Sequence, residues 1–372
     1  MQKKTIPNLR IKYPMKAFLI TDTHFGVHPL QLHKWLDMQK EYFDKFFIPL
    51  VKKKSSKGDI IVHLGDYFDN RTALEVSVLD FGIKLMEQLS ALLPVHLLLG
   101  NHDLYTLKTR DCHSMRWAKY MPNVHLYEEP KMVEFDGKTS LMLPWVESHS
   151  DMASILSNLT KVDHIFCHSD LKGAKGNLKA KPLEHGVELE SFSKVGNVWS
   201  GHIHLRQQMK NFLYLGSPYH LDRNDKDNKK GVYILDFKTG ETEFVPNNIS
   251  PEYKTIIVTK EEDLDLSAEE LSNNFIDITV SSSLLINNPK IKTKLEKMIE
   301  KGSFAKFDVQ DDLKLENIIT EQMDLSEIGI NLDFERLAED HIESQEIDKE
   351  IKDRMKRIVK ELFGAYQGDK DF

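Results

Sequence analysis

Four short apolar runs, at 17–20, 60–64, 95–99 and 165–167, each end directly at a polar motif built from Asp, His or Asn. Runs of this length and composition read as buried strands. Between the first three lie long amphipathic stretches, at 30–52 and 72–93, so the region from about 13 to 244 reads as a series of βαβ units. A row of parallel strands is expected. It would carry Asp22-Thr23-His24, Gly65-Asp66-Tyr67-Phe68-Asp69, Gly100-Asn101-His102-Asp103 and His168 to one sheet edge, where open α/β sheets bind their ligands. Two further motifs follow, Gly201-His202-Ile203-His204 after Val198-Trp199-Ser200, and then Gly216-Ser217-Pro218.

A chain of 372 residues has room for one large domain and a smaller appendage. The run Pro246-Asn247-Asn248-Ile249-Ser250-Pro251 reads as a boundary, because it packs two prolines and several turn-formers together. This divides the chain into a first domain at 1–246, a small α+β domain at 252–325 and a C-terminal helical segment at 331–372. Within the second, strands are expected at 253–259, 275–280 and 304–309, with helices at 263–273 and 289–301. Within the third, Ile347, Ile351, Met355, Ile358 and Leu362 recur at spacings of three and four, which puts one apolar stripe on a highly charged helix. Such a stripe either packs on the small domain or seats in a partner's groove.

The net charge of −8 argues against a generally basic nucleic-acid coat, although local lysines and bound cations still attract phosphates. Only Cys112 and Cys167 occur, which excludes a disulfide framework and a cysteine-based zinc site. No secretory core follows Met1-Gln2-Lys3-Lys4 and no apolar run reaches bilayer length. A cytoplasmic protein without a membrane partner is expected.

Carboxylate, imidazole and amide oxygen together suit Mn²⁺, Fe²⁺ or Zn²⁺, with Mg²⁺ also admissible. Two such ions about 3.5–4 Å apart can clamp a phosphate during in-line displacement. Asp66 is the best candidate for a carboxylate shared by both. Taken singly the motifs have ordinary readings: Asp-x-His is common in loops, and Gly-Asp after a strand is more often a turn or a helix N-cap. Two imidazoles two residues apart at a strand end are seldom a core arrangement, and the conjunction of all the motifs in order is what points to metal. His63 and His96 lie inside apolar runs and read as core residues; His113, His125, His149 and His185 show no ligand spacing; His28 is a candidate for lining the cleft.

The series Asp-x-His, Gly-Asp-x-x-Asp, Gly-Asn-His-Asp, His and Gly-His-x-His resembles the calcineurin-like metallophosphoesterase superfamily over about residues 16–220. The resemblance implies a β-sandwich flanked by helices (α/β, or α+β overall) and two divalent ions, with Mn²⁺ the first choice. One ion would be held by Asp22, His24, Asp66 and His204, the other by Asp66, Asn101, His168 and His202. It implies that His102 is no ligand but acts on the leaving oxygen or the transferring phosphoryl group. Asp103 would orient that imidazole, unless it serves as a helix N-cap.

Asp22-Thr23-His24-Phe25-Gly26, Leu143-Pro144-Trp145 and Gly216-Ser217-Pro218 further resemble the SbcD-type nuclease branch and its T-even-like phage counterparts. That branch implies a DNA nuclease subunit of a recombination and double-strand-break repair complex. Its partners would be double-stranded DNA ends, an SbcC-type SMC-like ATPase bound by the C-terminal stripe, and a second copy of the chain in a heterotetramer. A dimer surface could use Leu74, Val78, Phe81 and Leu85, for which core packing is the readier reading. Lys172, Lys175, Lys179 and Lys181 after His168, with Arg223 and Lys226 (and beside them Lys229 and Lys230) after Gly-Ser-Pro, are the candidate DNA contacts. Asp69 stands where that branch often has His. A small-molecule or cyclic-nucleotide phosphodiesterase is the alternative enzyme, and a non-catalytic scaffold the alternative of another class.

Overall fold

Along the Lys16–Ile20 strand Ala17 and Leu19 enter one core while Phe18 and Ile20 enter another, so both faces are covered. The same division holds for Ile60–His63, where Ile60 and Val62 oppose Ile61. Strands buried on both faces read as continuous apolar runs, which is why they were visible in the sequence. In the computed structural model of the chain, the described residues are 15–28, 31–265, 274–301, 306–310 and 352.

The strands form two six-stranded sheets, the sandwich that the family resemblance implies, and not the single row that the strand pattern alone suggests. The first runs, edge to edge, Thr242–Pro246, Gly231–Asp236, Lys16–Ile20, Ile60–His63, Val95–Leu98 and Val124–Tyr127, parallel from Lys16–Ile20 onward. The second runs Gln207–Met209, Phe212–Tyr214, Val195–Gly201, Val162–His168, Lys138–Leu143 and Lys131–Phe135, with parallel centre and antiparallel edges. Ala17, Leu19, Val62 and Leu98 of the first sheet share a core with Met142, Phe166 and Trp199 of the second, and the sheets therefore pack face to face. The hairpin that opens the second sheet turns at Asp136-Gly137, both with positive φ, the geometry a two-residue hairpin demands.

Helices cover the outer faces. Leu32–Tyr42 and Ile48–Lys54 are joined by a π-turn at Phe43–Phe47, which lets Tyr42, Phe43 and Phe47 all face the core of the first sheet. The next helix begins only at Val76, because Asn70 Oδ1 accepts the Thr72 and Ala73 N–H groups and holds the preceding residues in a turn. Val78 and Leu85 of that helix are core residues, so the dimer surface suggested through them does not exist as drawn; Leu74 and Phe81 pack partly buried against the same core. His149–Ser157 covers the second sheet with Met152 and Leu156. Among the described residues no helix is long and apolar enough to cross a membrane.

A third, parallel sheet of Tyr253–Val258, Phe275–Ser281 and Lys306–Gln310 packs Val258, Ile276, Ile278 and Val280 against Ile291 and Leu295 of the Pro289–Lys301 helix. Its strands start and stop within two residues of expectation. Of the helix expected at 263–273, Glu261–Leu264 form a 3₁₀ turn and 266–273 lie outside the described residues. The chain divides into compact units Met1–Thr320 and Glu321–Phe372. The stripe Ile347, Ile351, Met355, Ile358 and Leu362 lies outside the described residues.

Phe25, the residue after His24, is fully buried and meets Tyr67 and Phe81 edge-to-face at 4.8 and 4.9 Å. Truncating it removes the packing that backs the loop carrying Asp22 and His24. Phe25→Ala should cost about 3–5 kcal/mol of stability, read as a lowered denaturant midpoint at unchanged slope.

Candidate metal centre

The C-terminal ends of both sheets supply the candidate ligands. Lys16–Ile20 leads into Asp22 and His24, Ile60–His63 into Asp66 and Val95–Leu98 into Asn101, while from the second sheet Val162–His168 ends in His168 and Val195–Gly201 leads into His202 and His204. Asp22, His24, Asp66 and His202 all have positive φ, at 50°, 44°, 54° and 85°. Non-glycine residues in this region cost about 1–3 kcal/mol each and persist only where the surroundings over-determine them. Gly100 is required for a different reason: a Cβ there would collide with Asp66 Oδ1 and the Asp66 amide.

All seven expected ligands converge. His204 Nε2 lies 3.1 Å from His24 Nε2, which is 3.5 Å from Asp66 Oδ2 and 4.0 Å from Asp22 Oδ1. On the other side His168 Nε2 is 3.3 Å from the same Asp66 Oδ2 and 3.0 Å from Asn101 Oδ1, which is 2.8 Å from His202 Nδ1. Spacings near 3 Å are the edges of a coordination shell with bonds of about 2.0–2.2 Å. Asp66 Oδ2 is common to both groups. The donor set is nitrogen and oxygen without thiolate, which fits divalent first-row ions.

Hydrogen bonds on the far side of each ring fix which nitrogen is bare. His24 Nδ1–H donates to Asp69 Oδ1 (3.0 Å), His168 Nδ1–H to the Leu64 carbonyl (2.7 Å) and His202 Nε2–H to Asp170 Oδ1 (2.8 Å). In the neutral form of each ring the nitrogen turned to the cluster carries the lone pair, the arrangement that outer partners impose on metal-binding histidines. Asp69 and Asp170 in this role were missed in the sequence. Asp69 closes the Gly-Asp motif and Asp170 stands two residues after His168, so both were in view, but nothing in a linear pattern says which carboxylate backs which ring.

His102 sits beside the cluster. Its ring meets that of His24 edge-on at 4.8 Å, and its Nδ1–H donates to the Asp69 carbonyl (2.7 Å), which leaves Nε2 for proton exchange. Burial lowers its pKa, and the Asp66 carboxylate only partly opposes this. Asp103 does not orient His102, nor is it a helix N-cap. Its carboxylate accepts the N–H groups of Gly100 and Asp66 (2.9 Å each), Tyr67 (3.0 Å) and Phe68 (3.4 Å), and so ties the Asn101 loop to the Asp66 loop. Burial and the nearby Asp66 carboxylate push its pKa up, against the pull of the Gly100 and Phe68 amides.

Burial alone would depress His24 and His168. The Asp69 hydrogen bond with Asp66 and Asp22 raises His24 to about 9, and Asp66 and Asp22 with the Leu64 carbonyl raise His168 to about 9. Burial likewise opposes ionisation of Asp66, yet His168 and His24 hold it well below the usual carboxylate range.

The other expected residues are placed as follows. Lys175, Lys179 and Lys181 are exposed and Lys226 partly so, whereas Lys172 pairs with Glu188 (2.7 Å). Arg223 is already engaged, donating from Nε and an Nη to Asp277 at 2.7 and 3.0 Å. Lys230 is buried against Asp225 and is no surface contact. His28 stacks on Trp35 at 4.5 Å and donates from Nε2–H to the Leu221 carbonyl, so it joins elements instead of lining a cleft. His63 and His96 are buried with Thr23 and Tyr127 as partners.

The family model for calcineurin-like phosphoesterases matches residues 15–206, just over half of the chain. The chain belongs to this family. It is 32% identical over 192 residues to Exonuclease subunit 1 of Enterobacteria phage T4, an alignment that takes in 50% of this chain and 56% of that protein. It is also 25% identical over 306 residues to Putative phosphoesterase 244L of Invertebrate iridescent virus 6, over 78% of this chain and 95% of that one. A solved structure of an archaeal phosphodiesterase matches 63% of this chain and all of its own, at 14% identity and a TM-score of 0.33. Family membership makes the chain a metal-dependent phosphoesterase, and Asp22, His24 and His204 on one side and Asp66, His168 and His202 on the other bring ligand atoms close enough together to hold divalent ions.

Metal binding must displace protons from His24 and His168 below about pH 9. Because both folded pKa values are raised above 6.5, their contribution to the metal-free fold is full below 6.5 and lost as pH rises through about 9. Mn²⁺ affinity should change the opposite way, strengthening toward pH 9, with proton release detected by calorimetry in two buffers of different ionisation enthalpy. Asp103→Asn would turn an amide NH₂ toward backbone donors; it should cost about 1–3 kcal/mol, visible in the melting temperature.

Proposed function

We propose that this chain is a Mn²⁺-favouring, two-metal DNA nuclease subunit of a recombination and double-strand-break repair complex. The observation that carries the reading is the convergence of Asp22, His24, Asp66, Asn101, His168, His202 and His204 around one carboxylate oxygen, with His102 against His24. When bound, two divalent ions would supply Lewis-acid stabilisation of the charge that develops on a transferring phosphoryl group. The protein's part is to hold their ligands in fixed tautomers and to present His102 Nε2 to the leaving oxygen. With Nδ1–H fixed on the Asp69 carbonyl, a proton can enter or leave only at Nε2.

DNA as the substrate draws support from the similarity to the phage T4 exonuclease subunit, and the word subunit in that name supports a complex. In this reading 1–246 is the catalytic domain, 252–325 faces DNA and 331–372 binds an SbcC-type ATPase, with two copies of the chain in a heterotetramer acting in the cytoplasm on duplex ends. Lys175, Lys179, Lys181 and Lys226 supply exposed or partly exposed charge for the phosphate backbone. A small phosphodiester substrate would use the same metals but would not need these lysines.

End-labelled duplex DNA with Mn²⁺ tests this directly. Cleavage should occur, weaken steeply with salt as counterion release requires, and fall about 10²–10⁴-fold in His102→Ala. Hydrolysis of a chromogenic phosphodiester without DNA cleavage, in the presence of the ATPase partner, would replace the nuclease reading with a small-ester one.

A further inference from the structure

The Gly216-Ser217-Pro218 motif belongs to neither ligand group, yet it packs against the turn that carries His204. Gly216 has φ +74°, and a Cβ there would stand 2.8 Å from the His204 carbonyl oxygen and from the Arg206 amide. This close approach lets the Ser217 N–H reach the His204 carbonyl at 3.3 Å. The same oxygen accepts Asn228 Nδ2–H at 3.2 Å and Lys230 Nζ–H at 2.7 Å.

Lys230 is 5% exposed. Its ammonium also donates to Ser217 Oγ (2.8 Å) and to Asp225, so all three of its protons are placed. Asp225 in turn accepts the Leu221 N–H (2.7 Å) and the Asp222 N–H (3.3 Å). A buried ion pair is a poor source of net stability compared with apolar residues of the same volume. Its place here follows from what the third proton grips: the peptide of a residue whose Nε2 must stay within 3.1 Å of His24 Nε2.

We propose that Lys230 is a positioning residue for the first metal ion: by holding the His204 carbonyl, together with Ser217 and Asn228, it sets the direction of the His204 imidazole. Pairing with Asp225 cancels its charge, so the ammonium fixes the turn without repelling a dication nearby. This inference rests on the metal-centre reading above, in which His204, Asp22, His24 and Asp66 hold one ion. It also explains the spacing of the motif: glycine for the approach, serine for the hydroxyl that completes the ammonium's shell.

The test is a Mn²⁺ titration of the full chain, read by electron paramagnetic resonance, with the melting temperature measured on each variant. Lys230→Met should weaken one of two ions about 10–100-fold, the usual size of an outer-shell effect, and leave the other unchanged. That variant also strands the Asp225 carboxylate, so Asp225→Asn/Lys230→Met, which removes both charges, is measured beside it. The expected result is a melting temperature recovered toward the parent with one ion still weakened. Recovery of both ions would show that Lys230 merely neutralises Asp225 and would overturn the proposal. In a His204→Ala background the Lys230 change should cost no further affinity; an equal additional loss would also overturn it. If neither Lys230 variant folds, Asn228→Ala removes a neutral donor to the same carbonyl and must weaken the same ion; unchanged binding counts against the proposal. A parent chain that binds no Mn²⁺ would instead sink the metal-centre reading, and the proposal with it.

Discussion

The oxygen Asp66 Oδ2 is the point at which two separate sheets become one site. It lies 3.5 Å from His24 Nε2, delivered by the first sheet, and 3.3 Å from His168 Nε2, delivered by the second. Two charge-bearing clusters that share one carboxylate cannot be built independently, so the register of each sheet and the angle between them are constrained together. The core between the sheets meets that constraint with large rigid groups, Phe166, Trp199 and Tyr233 among them. Their close packing leaves little room for one sheet to slide over the other.

Holding Asp66 requires more than packing, because its backbone is left-handed and its carboxylate buried. The second carboxylate, Asp103, meets the need from beneath: it gathers amides from both flanking loops and spends no part of itself on chemistry. Asp66 Oδ1 is likewise occupied by the His102 N–H at 2.8 Å. One oxygen therefore fixes the loops to each other while Oδ2 remains for the ions. The strain at Asp22, His24 and His202 is sustained in the same manner, as with the His202 N–H, which donates to the Asp22 carboxylate at 3.0 Å.

Much of this was legible in the sequence because it depended on local rules. Strands covered on both sides announce themselves as unbroken apolar runs, and the ligands follow them directly. The partition into two sheets came only from the family resemblance and not from the strand pattern, because it depends on which strands pair, and pairing across as many residues as separate Ile60–His63 from Val162–His168 leaves no local trace. One clue was passed over: Asp136-Gly137 between 131–135 and 138–143 is a hairpin signal that starts a second sheet. Asp103 was misassigned for a related reason. Its neighbour in sequence is His102, but its partners are the amides of Asp66 and Tyr67, more than thirty positions away. Lys230 looked like surface charge but is buried against Asp225, and Arg223, although exposed, is already paired with Asp277.

The small third sheet is joined to this arrangement where the ligand loops leave the body. His28, four residues past His24, stacks on Trp35 at 4.5 Å; Trp35 stacks on Phe275 at 5.0 Å, Phe275 on Tyr253 at 4.5 Å, and Tyr253 faces His220 at 6.3 Å. The ladder thus begins in the loop that carries His24 and ends two residues beyond Pro218. Hydrogen bonds close it at both ends, from His28 Nε2–H to the Leu221 carbonyl and from the Tyr253 N–H to His220 Nδ1. His220 Nε2–H reaches the Asn228 carbonyl, and Asn228 in turn holds that of His204. Aromatic stacking tolerates sliding but resists separation, and offset pairs of this kind contribute about 0.5–1.5 kcal/mol each beyond the area they bury. A tilt of the small sheet would therefore break stacked pairs before it moved freely, and its first effects would fall on the loops that carry His24 and His204. The attachment links the small sheet to the loops of His24 and His204 through residues that lie outside both groups of candidate ligands.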